Sequence, residues 1–112
     1  HLLYCFQGGG IRLNWYERIN EAFDYIEDHL DSKIDLDKVA NIMCQTTVSF
    51  QRTFSVFMNL SIYEYIRRRR MTLAAIELQT NAIKVIELAM KYGYDSPEAF
   101  ARAFKEIHGI SP

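Results

Sequence analysis

The chain has 112 residues, enough for one domain or two very small ones. Its hydrophobic fraction of 49% excludes a disordered chain, and no apolar run approaches the ~20 residues of a membrane span. The net charge of −1 gives no overall attraction to phosphate, but the charge is unevenly placed. Residues 17–38 hold eight acidic side chains against three basic ones, whereas residues 39–112 hold nine basic against six acidic. An acidic start on a mildly basic body leaves one face able to bind phosphate. Cys5 and Cys44 show no metal or redox spacing, and no secretory signal is visible, so a cytoplasmic protein is expected.

Residues 1–10, HLLYCFQGGG, resemble a protease-cleavable tag with glycine spacers and are set aside with Cys5. A first helix is expected from about Asn14 to Leu30, with Trp15, Ile19, Ala22, Phe23, Ile26 and Leu30 stepping at three and four. Its outer face carries Glu17, Glu21, Asp24, Glu27 and Asp28. Asp35 suits the cap of a second helix, with Leu36, Val39, Ala40 and Met43 inward. After a tight turn at Cys44 and Gln45, Thr46 or Thr47 caps a third, with the stripe Phe50, Thr53, Phe54 and Phe57.

Ser61 caps a longer helix of roughly 62–79, about 27 Å at ~1.5 Å per residue. Ile62, Tyr65, Ile66, Leu73 and Ile76, with Met71, are its expected buried contacts. A fifth helix is expected at about 82–91, buried through Ile83, Ile86, Met90 and Ala89, and stopped by Gly93. In the sixth, Ser96 suits the N-cap, Pro97 the first helical position and Gly109 the left-handed residue past the end. Phe100, Ala103, Phe104 and Ile107 form its stripe. No strand-like alternation occurs, so the fold expected is all-α.

The third and sixth helices echo one another. FQRTF at 50–54 and FARAF at 100–104 share Phe-x-Arg-x-Phe at an offset of 50, with Thr46 matching Ser96 as a cap. Each is preceded by a short helix containing Ala40 or Ala89 and then a turn, the second turn one residue longer. Two helix–turn–helix units thus flank the long helix, dividing the chain at 11–60, 61–80 and 81–112. Helix geometry points Arg52 and Arg102 away from their Phe stripes. A connector of about 27 Å plus turns suits two outward helices about 34 Å apart, one turn of DNA.

Several blocks resemble the AraC/XylS family of bacterial transcription regulators, over about residues 15–112. They are DYIEDHLDSKIDLDKVA, YIRRRRM and IKVIELAMKYGYDSPEAFARAFKEIHGISP. The resemblance implies two helix–turn–helix subdomains joined by a long linker helix and inserted into successive major grooves of promoter DNA. It places Thr47, Val48, Gln51 and Arg52 at base-reading positions of the first unit, and Pro97, Glu98, Ala101 and Arg102 at those of the second. Arg52 and Arg102 suit guanine O6 and N7, and Gln51 suits adenine. Thr46, Ser96, Lys105 and, from the arginine run, Arg67, Arg69 and Arg70 are expected on phosphate. Thr46, Thr47 and Ser96 also offer hydroxyls and helix-start N–H groups to phosphate.

This sequence departs from the family in places. Cys44 stands where glycine is usual; the turn is expected to relax rather than hold positive φ, and the residue to act as a small half-buried filler. Pro97 and Ala101 hydrogen-bond little, so reading by the second unit rests mainly on Arg102. The chain stops at Pro112, where members usually continue, so a longer parent is expected. A small-molecule effector is expected only through a further domain, C-terminal to these residues. RNA polymerase is a second expected partner, facing the acidic first helix. The five phenylalanines, Tyr92 and Tyr94 are expected to pack, and His29 and His108 to serve helix ends. The alternative is a helical protein-interaction module that does not bind DNA. No nucleophile–base pair, metal spacing or phosphate-cradling loop is present, so no enzyme, cofactor or metal is expected.

Overall fold

The computed structural model describes residues 15–112; the tag-like stretch, Asn14 and Cys5 lie outside them. The described residues form α1 (Trp15–Asp28), α2 (Leu36–Ile42), α3 (Thr47–Met58), α4 (Ile62–Thr80), α5 (Val85–Lys91) and α6 (Pro97–His108), with no strand among them. No helix there is long and apolar enough to cross a membrane.

The helices divide between two compact units. One runs through His29 and resumes over Ile34–Ile62; the other comprises Leu30–Lys33 and Tyr63–Pro112. The second assignment has a local cause. Arg70 Nε donates to Leu30 O at 2.8 Å and Arg70 Nη2 to Ser32 O at 2.7 Å, tying the loop after α1 onto α4.

In the first unit Ala22 and Ile26 of α1, Val39 and Ala40 of α2, and Phe50 and Phe54 of α3 are buried. Asp35 caps α2 by accepting from Asp37 N–H at 3.0 Å, and Thr46 caps α3 by accepting from Ser49 N–H at 3.1 Å. The second unit centres on Met71, Ala74, Leu88, Ala89, Tyr92, Phe100, Ala103 and Phe104.

The repeat extends into the turns. In the first, Gln45 N–H donates to Ala40 O and Cys44 N–H to Asn41 O; in the second, Tyr94 N–H donates to Ala89 O and Gly93 N–H to Met90 O. Both are Schellman closures, whose pivot residue lies in the left-handed region. Gly93 has φ +81° and Cys44 φ +56°. The turn at Cys44 therefore does not relax. The two backbone hydrogen bonds hold a side-chain-bearing residue where such conformations cost about 1–2 kcal/mol. Cys44 is half-buried, as expected, and its sulfur accepts from Arg18 Nη1 at 2.8 Å, so it does more than fill space.

Several expectations fail. The fifth helix starts at Val85, not 82, because Lys84 is extended at its N-cap. Its buried face is Leu88, Ala89 and the following Tyr92, which leaves Ile86 at 51% and Met90 at 74% exposed. Ile76 of α4 is 49% exposed, because the buried row there runs through Met71 and Ala74. Phe57 is 69% exposed near the end of α3, its ring 5.8 Å from that of Trp15, which is also expected on an apolar stripe yet is exposed.

Candidate nucleic-acid interface

Each outward helix is fixed in its unit by two buried phenylalanines. The Phe50–Phe54 and Phe100–Phe104 ring centroids are both 5.9 Å apart, and Tyr94 meets Phe100 edge-on at 5.6 Å. Arg52 and Arg102 sit midway between these anchors in sequence. Both are exposed, with no hydrogen-bond or ion-pair partner among the described residues. A rigid helix presenting a free guanidinium has the chemistry of a bidentate base contact.

The other expected base readers of the first unit are less uniform. Val48 is 62% exposed and Gln51 half-buried. Thr47 is half-buried, and its hydroxyl donates to Asp37 Oδ1 of α2. In α6, Glu98 is exposed, whereas Pro97 and Ala101 are half-buried. Ser96 accepts from Ala99 N–H at 3.1 Å, and Pro97, first in the helix, has no N–H, so few N–H groups are left open at the start of α6. Thr46 and Ser96 use their oxygens as cap acceptors, so each keeps its hydroxyl proton to donate. Lys105 is exposed on α6, without a partner among the described residues.

The arginine run is largely engaged within the second unit. Arg67 pairs with Glu64 at 3.2 Å and with Glu106 of α6, and Arg68 Nε donates to Glu64 at 2.9 Å. The Arg68 hydrogen bond, ahead of the Arg67 one, holds the Glu64 carboxyl below its usual range despite some desolvation. Arg70 is committed to the two loop carbonyls, and burial lowers its pKa. Arg69 is half-buried with an interaction of its own. Arg67 and Arg70 thus already brace the second unit: Arg67 ties α4 to α6, and Arg70 anchors the loop.

His108 adds a further brace. Its Nε2–H donates to Met71 O at 2.9 Å, and its ring lies 4.4 Å from that of Phe104. His29 Nδ1–H donates to Tyr25 O at 2.7 Å at the end of α1. Both histidines serve helix ends. No group of three or more His, Cys, Asp or Glu side chains that could hold a metal occurs among the described residues. Asp37 escaped the sequence reading because its contact with Thr47 crosses a turn; aligning the two repeats would have drawn attention to it.

Known proteins share this architecture. A family model described as a helix-turn-helix domain matches residues 39–112. The HTH-type transcriptional activator AarP of Providencia stuartii is 43% identical over 94 residues, 84% of this chain and 70% of its own. The regulatory protein SoxS of Salmonella typhimurium is 34% identical over 94 residues, 84% of this chain and 88% of its own. The DNA-binding domain of AdpA, a global transcriptional factor solved in complex with a target DNA, has a TM-score of 0.73 at 24% identity. It covers 85% of this chain and 86% of that one, and shares the fold. The chain belongs to the AraC/XylS family, and its helices are the helix–turn–helix DNA-binding domain of a transcription regulator.

Proposed function

We propose that α3 and α6 each enter a major groove of promoter DNA and that Arg52 and Arg102 carry most of the base reading. The observation that carries this reading is the matched pair of free guanidiniums, each on a helix fixed by two buried phenylalanines. Gln51, Val48, Thr47, Glu98 and Ala101 line the same helices and shape the contact. Thr46, Ser96, Lys105 and Arg69 hold phosphate. Arg67 and Arg70 brace the second unit and reach phosphate only by giving up protein partners. The acidic outer face of α1 is offered to RNA polymerase, since it would repel DNA. A small-molecule effector would act through another domain of a longer protein, and the protein would work on the chromosome, in the cytoplasm.

A fluorescence-polarisation titration of promoter-derived duplexes at several salt concentrations tests this. Affinity should fall log-linearly with salt, with a slope of about −0.9 per phosphate contact. Absence of binding to every such duplex at low salt would overturn the proposal.

A further inference from the structure

Asp37 lies outside both recognition helices, yet it touches the first residue of one. Its Oδ1 accepts the hydroxyl proton of Thr47, at the start of α3. Its neighbour Asp35 supplies the side-chain cap of α2, so that cap does not depend on the Asp37 carboxylate. With its proton given to Asp37, Thr47 has no donor left for a base, and its γ-methyl is the group that packs there. A methyl cannot hydrogen-bond, but it packs on the C5 methyl of thymine.

The second unit reaches the same result by other means. The offset of the short helices puts Ile86 at the position of Asp37, and that of the recognition helices puts Pro97 at the position of Thr47. Neither residue carries a side-chain donor. Both units therefore present a first position with no free side-chain donor, one by proline and one by engaging the hydroxyl proton.

We infer that Asp37 is a specificity-determining residue. It engages the Thr47 hydroxyl proton, so that the first position of α3 selects a thymine methyl rather than a base-edge acceptor. Like the function proposed above, this requires that α3 reads DNA.

The test is selection of bound sequences from a random duplex pool by wild type, Thr47→Val, Thr47→Ala and Asp37→Ala, with each variant's fold checked by circular dichroism. Thr47→Val removes the hydroxyl but keeps a methyl, so its base preferences should match wild type at every position. Thr47→Ala removes the methyl and should weaken thymine preference at one base pair by about tenfold, within the range of a base contact. Asp37→Ala frees the hydroxyl proton and should broaden that same position to bases that offer an acceptor. Loss of preference in Thr47→Val, or unchanged preference in Asp37→Ala, would overturn the inference while leaving major-groove reading intact. A wild-type protein that selects no sequence would overturn both.

Discussion

Glu77 shows how a single side chain is tuned within the second unit. Lys91 Nζ donates to its Oε1 at 2.7 Å, and the Tyr92 hydroxyl donates to its Oε2. Burial pushes the Glu77 carboxyl up, but the hydrogen bonds from Lys91 and Tyr92 outweigh it and hold the group below its usual range. For Tyr92, burial and the same carboxylate act together and push the phenol up. The two shifts have opposite consequences. The lowered Glu77 contributes stability above its unfolded pKa that is lost as pH falls through the folded value. The raised Tyr92 contributes stability below its unfolded pKa that is lost as pH rises through the folded value. Urea unfolding midpoints should therefore decline on both the acid and the alkaline side. Tyr92→Phe should flatten the alkaline limb by removing the titrating phenol. An alkaline limb as steep as that of wild type would show that this phenol does not drive it.

The short first helix of each unit shows how two copies of one motif diverge. Ile34, Asp35 and Leu36 correspond to Ile83, Lys84 and Val85 at an offset of 49. In each copy an isoleucine before the cap lies five residues ahead of a buried Val39 or Leu88, the spacing of a hydrophobic staple. The caps differ. Asp35 accepts from a backbone N–H, whereas Lys84 makes no side-chain cap hydrogen bond. Lys84 also puts a positive charge at the positive end of the helix dipole. Lys84→Asp should stabilise the protein by about 1 kcal/mol, read as a higher urea midpoint with unchanged m-value. An unchanged or lower midpoint would show that capping does not limit α5. This element also marks where the sequence stops being legible. Caps with side-chain oxygens at Asp35, Thr46 and Ser96 announce their helices, and those starts were readable. Lys84 announces nothing, so the sequence alone starts the fifth helix early and puts Ile86 and Met90 on its buried face. Periodicity gives the apolar face of a helix but not how far its neighbours extend. That is why Phe57 and Ile76 were expected inside and are exposed.

At the scale of the molecule, a duplicated motif supplies most of the candidate site, while longer sequence blocks carry the family assignment. The Phe-x-Arg-x-Phe echo identified two anchored helices with outward arginines, and the structure leaves Arg52 and Arg102 exposed. Contacts between distant segments were not legible. Nothing in the spacing of Arg67 or Arg70 shows that one would tie α4 to Glu106 and the other to the carbonyls of Leu30 and Ser32. The central claim is that Arg102 reads a base while its helix neighbour Lys105 grips phosphate. The most direct measurement compares Arg102→Ala with Lys105→Ala against a selected duplex and its single-base-pair variants. Arg102→Ala should cost about 1–3 kcal/mol on the selected site and erase discrimination at one base pair. Lys105→Ala should weaken all duplexes alike and reduce the salt slope by about 1. If both substitutions weaken every duplex equally, Arg102 is another phosphate contact and the account of sequence reading by α6 is wrong.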